Sequence, residues 1–422
     1  MVGDYLLVQG AKTLEGRVRV PAAKNSVLPL LAAALMCSGE SYFTAVPDLA
    51  DVRQSVLILQ ALGCRCQRRG RGMAVQPGGM AAGSLPEEPA KAMRSSVFYL
   101  APALHRFGRV QMPLPGGCRL GARPIDIHLD GLGRMGAKIS WQGPVLTLEA
   151  EKGLQGVDYT LRLPSVGATE TLLMAAVKAK GTTILRGAAK EPEIVDLAGY
   201  LRRCGAKISG EGTSVILIRG VNCLKGAVHT PIPDRILTAT MACAVACAGG
   251  RIELMGARPQ LLLKTLEILS KAGCTVEKTS GGLVIERSRR LRAAGELYTG
   301  AYPGFSTDAA PLVAAAMLTA VGKTIIEDRI FENRFSCAEG FCAMGAAAKK
   351  AGRSIGINGR YLLHGADVYG QDLRGTAALL IAALGAQGES RIYGLEHLCR
   401  GYEKIETVLL ALGAQIRREH SK

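Results

Sequence analysis

LLAAALMCSG, Leu30–Gly39, is small or apolar almost throughout and closes on a glycine. The pattern returns five times: YLAPALHRFG (Tyr99–Gly108), LLMAAVKAKG (Leu172–Gly181), ACAVACAGG (Ala242–Gly250), VAAAMLTAVG (Val313–Gly322) and LIAALGAQG (Leu380–Gly388). These runs are rich in good helix formers and offer no polar face, which predicts helices buried on every side. The glycine after each is expected to end its helix as a left-handed C-cap. Beta-branched runs such as Thr182–Leu185 and Thr324–Glu327 then predict strands. A second glycine follows 23 to 28 residues later, at Gly63, Gly136, Gly205, Gly273, Gly345 and Gly413, with intervals of 73, 69, 68, 72 and 68 residues. A fixed period of this kind marks an internally repeated chain.

Each repeat reads as buried helix, strand, loop, second helix, strand and hairpin strand, an α/β unit. A helix apolar all round needs sheets around it, so each group of repeats predicts a globule with helices inside and sheets outside. The last repeat stops soon after Gly413, before its closing strand. LVQGAKTLEGRVRVPAAKN (Leu7–Asn25) aligns with LIRGVNCLKGAVHTPIPDR (Leu217–Arg235), and the glycine pairs Gly10/Gly16 and Gly220/Gly226 fall in register. The N-terminal strands therefore read as the missing end of the sixth repeat. Two three-repeat domains follow, 22–232 and 233–422 completed by 1–21, with two crossings that predict a hinge and a cleft.

At about 150 residues per domain, 422 residues fit two or three domains. Hydrophobic residues are 48% and charged residues 21%, far from a disordered composition. The 52 Lys and Arg against 35 Asp and Glu leave a net charge of +17, which favours anionic partners. Aromatic residues are only 5%, with one Trp, too few stacking platforms for single-stranded nucleic acid. The twelve cysteines show no zinc spacing. No apolar run reaches a membrane span and no leader precedes the first strand, so the expectation is a cytoplasmic chain with reduced, structural thiols and no metal or cofactor.

Polar residues stand just before or at the start of the buried helices: Lys24 and Asn25, Arg94, Ser165, Asp234 and Arg235, Asp308, and Asp372 with Arg374. Asn, Ser and Asp there cap helices in any protein, so Ser165 and Asp234 fit capping as well as function. Cations do not, because the helix dipole disfavours them at this end. Lys24, read as an exposed cation, and Arg94, Arg235 and Arg374 break the rule together, and such conflicts mark functional sites. Several helix starts at one cleft would form an anion site. In PGGCRLGARPIDIH (Pro115–His128), Cys118 lies between glycines with Arg119 and Arg123 close by. That setting favours an accessible thiol of lowered pKa, although Pro-Gly-Gly is also ordinary turn chemistry.

VPAAKNSVLPLLAAAL, KAMRSSVFYLAPAL, LPGGCRLGARPIDIHLDGLGRMGAKI, PSVGATETLLMAA, AAKEPEIVDLAGYL, PDRI, FSTDAAP, FENRF, DLRGTAALL and CRGYEKIE span the chain. Together they resemble the UDP-N-acetylglucosamine 1-carboxyvinyltransferase family of enolpyruvyl transferases. The resemblance implies a two-domain inside-out α/β barrel of six repeats. It also implies transfer of the enolpyruvyl group of phosphoenolpyruvate to the 3′-hydroxyl of UDP-N-acetylglucosamine, the first committed step of peptidoglycan synthesis. On the family's pattern Lys24, Arg123 and Arg400 hold the phosphate and carboxylate of phosphoenolpyruvate, with Arg94 nearby. Cys118 supplies a proton to the methylene carbon, and Asp308 assists deprotonation of the sugar hydroxyl. Asn25, Arg334, Asp372 and Arg374 line the same cleft. Arg123, Pro124, Ile125 and Asp126, Ser165, Val166 and Gly167, and Ile330 surround the uridine. The implied partners are these two small molecules, without nucleic acid, membrane or an obligate protein partner.

The chain departs from the family at Leu163-Pro164 before SVGA, at Leu237 after PDRI, at Ser336, Cys337 and Ala338 after FENRF, and at Cys399 before Arg-Gly-Tyr-Glu. A related transferase with another acceptor, or a weakly active regulatory paralogue, stays open at this point. The resemblance also implies that the epoxide fosfomycin alkylates Cys118. Peptide mass mapping after treatment is expected to place the adduct there; adducts on other cysteines with Cys118 untouched would contradict the assignment.

Overall fold

The computed structural model describes residues 3–79, 83–114, 125–360 and 362–420. They form two compact units, one of residues 21–114 and 125–232, the other of 3–20 and 233–420. The first contains helices α1 (Lys24–Ala34), α2 (Leu100–Phe107, after a 3₁₀ turn over Arg94–Tyr99) and α3 (Val166–Ala176). The second contains α4 (Arg235–Ala248), α5 (Ala310–Met317) and α6 (Leu373–Gly385). Ser26–Ala34 of α1, Ala168–Ala176 of α3, Ile236–Cys247 of α4 and all of α5 are buried without a break. An amphipathic helix would show water along one side; these show none.

In the second unit α4, α5 and α6 pack on one another, and each also lies against its own four-stranded sheet. Strand Asp4–Gln9 sits between Glu389–Tyr393 and Gln415–His420, antiparallel to both, with Leu7 opposite Arg391 and Arg417. Strand Leu14–Arg19 runs parallel to Gly250–Met255. The N-terminal residues thus complete two sheets of the second unit. The first unit has two four-stranded sheets and a three-stranded sheet of Arg109–Pro113, Val145–Glu149 and Lys138–Gln142 among its described residues. Each unit holds its own hydrophobic core. The fold is a mixed α/β arrangement, and no helix among the described residues is long and apolar enough to cross a membrane. Cys37, Cys64, Cys204, Cys243, Cys247, Cys274 and Cys337 are buried thiols.

The expected glycine caps need correction. Only Gly108 directly follows its helix as a left-handed cap, with φ 71°. α3 ends at Ala176, well before Gly181, and α5 at Met317, before Gly322. The end of α1 is closed by tightening: the amides of Leu35, Met36 and Cys37 bond to the carbonyls of Ala32, Ala33 and Ala34, so no glycine is needed. Gly39 is not left-handed; Gly181, Gly322 and Gly388 are, and they turn the chain into the next strand.

Three of the four paired glycines, Gly10, Gly220 and Gly226, have a different cause, close backbone approach, while Gly16 holds φ 119°. A Cβ at Gly10 would lie 2.1 Å from the carbonyl oxygen of Ala386, and one at Gly220 would lie 1.6 Å from that of Ala179. Gly220→Ala is expected to lower stability by more than about 2 kcal/mol, since backbone must move. Gly199→Ala, inside helix Pro192–Arg203 with nothing within 4 Å, should be neutral or stabilising by roughly 0.5–1 kcal/mol. Urea unfolding of both proteins checks the contrast.

Candidate active site

α4 and α6 both begin on a carboxylate. Asp234 Oδ1 accepts the amides of Ile236 and Leu237 at 2.8 and 2.9 Å, and Asp372 Oδ1 accepts those of Arg374 and Gly375 at 3.0 Å each. A negative charge is favourable there, and it makes the following cations, Arg235 and Arg374, easier to place. The buried Arg374 donates from Nη2 to Asp308 Oδ2 at 3.1 Å and from Nη1 to the Tyr402 hydroxyl at 3.2 Å. Asp308, in the turn before α5, accepts on its other oxygen from Arg334 Nη2 at 2.9 Å. Arg334 is only 2% exposed, its Nε donates to Thr307 Oγ1 at 2.9 Å, and its guanidinium lies over the Phe331 ring. Burial alone would raise the Asp308 carboxyl, but Arg374 and Arg334, with Arg235 further off, hold it well below the usual carboxylate range.

Ser336 donates its hydroxyl to Asp372 Oδ2, which joins the α6 cap to this array. Ile330 is connected to it through Asp328, whose Oδ1 accepts the Ile330 amide at 2.8 Å. Arg400 is half-buried just beyond helix Leu395–Leu398, two residues before Tyr402. Arg235 stacks over Tyr302 at 5.8 Å from the ring centre. Asp308, Arg334, Arg374 and Asp372 are thus assembled within the second unit.

In the first unit, Lys24 is not the exposed cation expected at a helix start. It is 12% exposed, and Nζ lies 2.9 Å from Oδ2 of Asp51, itself 7% exposed, on helix Ala50–Ala61. The helix dipole's cost is met by an external carboxylate. Asn25 follows in the same turn; Pro29, lacking an N–H, cannot donate to its carbonyl. Arg94 opens the 3₁₀ turn before α2. Ser165 caps α3, accepting from the Ala168 amide at 3.3 Å, so Val166 and Gly167 form its first turn. Ile125 is buried, whereas Asp126 is exposed and pairs with Arg162 at 2.5 Å. Cys118, Arg119, Arg123 and Pro124 lie outside the described residues.

Sequence reasoning passed over several residues. His128 is buried with neither ring nitrogen partnered among the described residues, and burial, then the charge of Arg94, push its pKa down to about 4. A Cβ on Gly167 would come within 3.1 Å of its Nε2, so a glycine admits the ring to the α3 start. Asp51, Thr307, Asp328, Ser336 and Tyr402 were likewise missed. Tyr402 lies inside the CRGYEKIE motif, Thr307 inside FSTDAAP and His128 inside the motif of Cys118, the available signals; Asp51, Asp328 and Ser336, single polar residues outside the motifs, carry none. The departures fit locally: Leu237 and Cys337 are core residues, and Cys399 accepts from Arg418 at 3.7 Å, which also pairs with Glu406. Leu163 and Pro164 are exposed before the Ser165 cap.

Carboxylate caps, buried arginines and a doubly held aspartate thus meet at the helix starts of the second unit. The chain belongs to the EPSP synthase (3-phosphoshikimate 1-carboxyvinyltransferase) family, which residues 8–409 match. It is 41% identical to UDP-N-acetylglucosamine 1-carboxyvinyltransferase 1 of Symbiobacterium thermophilum over 98% of this chain and 95% of that protein. It is also 41% identical to the UDP-N-acetylglucosamine 1-carboxyvinyltransferase of Trichlorobacter lovleyi, covering 98% and 99%. The crystal structure of the enolpyruvyl transferase NikO from Streptomyces tendae shares the fold with a TM-score of 0.89 at 24% identity, over 100% of both chains.

Asp308 links the site to acid stability. Its folded pKa is depressed, so its contribution to stability is complete above the unfolded value of about 4 and is lost as pH falls below it. The stability gap between the wild type and Asp308→Asn is therefore expected to be widest near neutrality and to narrow below about pH 4. Melting temperatures across pH check this; a gap independent of pH would contradict the ion-pair assignment.

Proposed function

We propose that this chain transfers the enolpyruvyl group of phosphoenolpyruvate to the 3′-hydroxyl of UDP-N-acetylglucosamine and releases phosphate, serving peptidoglycan synthesis in the cytoplasm. The observation that carries this reading is nearly full-length likeness to proteins of that name, on a chain holding the Asp308–Arg334–Arg374 array. Two enolpyruvyl-transferase domains, 22–232 and 233–422 with 1–21, each three repeats in an inside-out barrel, form the scaffold.

The chemistry is addition and then elimination. The sugar hydroxyl oxygen bonds to C2 of phosphoenolpyruvate while its proton leaves to a base, and a proton is delivered to the C3 methylene. Loss of a C3 proton with cleavage of the C2–O bond to the phosphate restores the double bond and frees phosphate, which leaves with that oxygen. Phosphoenolpyruvate carries a carboxylate and a phosphate, so Lys24, Arg123 and Arg400 orient it through charge-assisted bonds, with Arg94 beside them. Cys118 delivers the C3 proton and Asp308 receives the hydroxyl proton. Asn25, Arg334, Asp372 and Arg374 line the reacting groups, and Arg123 to Asp126, Ser165 to Gly167 and Ile330 contact the uridine. A carboxylate as tightly paired as Asp308 is a weak base. An anionic substrate that draws Arg374 or Arg334 toward itself returns basicity to Asp308.

Phosphate release is expected with phosphoenolpyruvate plus UDP-N-acetylglucosamine and not with shikimate 3-phosphate as acceptor. Cys118→Asp, which keeps an acid, should retain turnover and escape covalent inhibition by fosfomycin, while Cys118→Ser should lose most of its activity. Turnover with shikimate 3-phosphate, or none with either acceptor, would overturn the reading.

A further inference from the structure

Asp328 follows strand Lys323–Glu327 and is 0% exposed. A buried carboxylate without partners would be costly, and this one accepts four hydrogen bonds. Oδ1 accepts the amides of Ile330 and Phe331 at 2.8 Å each and the Thr299 hydroxyl at 3.3 Å. Oδ2 accepts the Thr307 hydroxyl and lies 3.6 Å from Arg334 Nε. Thr299 Oγ1 in turn accepts the Arg329 amide at 2.9 Å. Fully buried, Asp328 has no open face for a ligand, so any part it takes in the reaction passes through its neighbours.

Those neighbours belong to two different tasks. Thr307 adjoins Asp308 and shares Arg334 with it: Arg334 Nε binds the Thr307 oxygen while Nη2 binds Asp308. Ile330 is assigned to the nucleoside, and Phe331 follows it in the chain. Asp328, Arg334, Asp308 and Arg374 also alternate in charge, so Arg334 stands between two carboxylates. We propose that Asp328 is a positioning residue that fixes Arg334 and Thr307, and so the Asp308 carboxylate, in register with the Ile330–Phe331 segment. The proposal rests on the assignment of Asp308 to the acceptor hydroxyl and of Ile330 to the nucleoside.

Asparagine separates the two tasks. In Asp328→Asn the side-chain carbonyl can still accept the Ile330 and Phe331 amides, but its NH₂ faces the donors of Thr307 and Arg334. Asp328→Ala removes both sets of bonds. Thr307→Val removes only the hydroxyl between Asp328 and Arg334. Phosphate-release kinetics on the three variants and the wild type, with phosphoenolpyruvate and UDP-N-acetylglucosamine, test the proposal. Asp328→Asn and Thr307→Val are expected to lower kcat roughly tenfold to a hundredfold, as small misplacements of reacting groups do, with KM for the sugar nucleotide within about twofold. Asp328→Ala should raise that KM as well. If Asp328→Asn fails to fold, Thr307→Val decides alone. Wild-type kcat in a folded Asp328→Asn or in Thr307→Val overturns the proposal, as does a kcat loss that only tracks the folded fraction. A wild type that turns over neither substrate overturns the functional reading instead.

Discussion

Helices buried along most or all of their length impose the constraint on which everything else in the structure depends. A helix of this kind can bury its length only among other helices and sheets, and then only its two ends are left to meet polar groups. The start of a helix presents unbonded amides and partial positive charge, so carboxylates and anions are welcome there and cations are not. Asp234, Asp372 and Ser165 satisfy that demand directly as caps. Lys24, Arg235 and Arg374 contradict it, and each contradiction is met by a partner from elsewhere in the chain, Asp51 for Lys24, the Tyr302 ring for Arg235 and Asp308 for Arg374.

Such partnerships are a poor way to gain stability. Taking two charges out of water costs several kcal/mol per ion, and well-packed apolar residues often serve as well. Removing one member is a different matter, since it strands the other. A chain of Asp328, Arg334, Asp308 and Arg374 is therefore better understood as a device for holding charges in fixed places than as a clamp on the fold. Fixed dipoles and charges that need no reorganisation are what stabilises a developing transition state. The same array holds Asp308 ionised and weakly basic.

The buried helices were legible because their signal is local: an unbroken apolar run with good helix formers reads the same in any context. The glycines of the strand ends were legible by position but not by cause. Gly10 and Gly220 could be matched by spacing, yet only coordinates reveal the carbonyls of Ala386 and Ala179 against them. The helix-start cations were visible as violations of a local preference, while their partners were not, since Asp51 is 27 residues from Lys24 and Asp308 is 66 from Arg374. Lys24 was misjudged as exposed for that reason. His128 was passed over because one histidine in the amphipathic helix Asp126–Arg134 has no distinctive pattern, and its place beside the α3 start depends on Gly167 leaving room for it. The roles of Cys118 and Arg123 came from motif resemblance alone.

The account turns on Asp308 being a carboxylate shared by two buried arginines. Selective ¹³C labelling of aspartate side-chain carboxyls, with the Asp308 resonance assigned by its loss in Asp308→Asn, measures its titration in the ligand-free protein. The account predicts that the resonance stays at its ionised position through the ordinary aspartate range, near pH 4, and moves only in stronger acid. A resonance that titrates near pH 4 would mean that Arg334 and Arg374 do not hold the carboxylate, and the electrostatic basis of the site would fail.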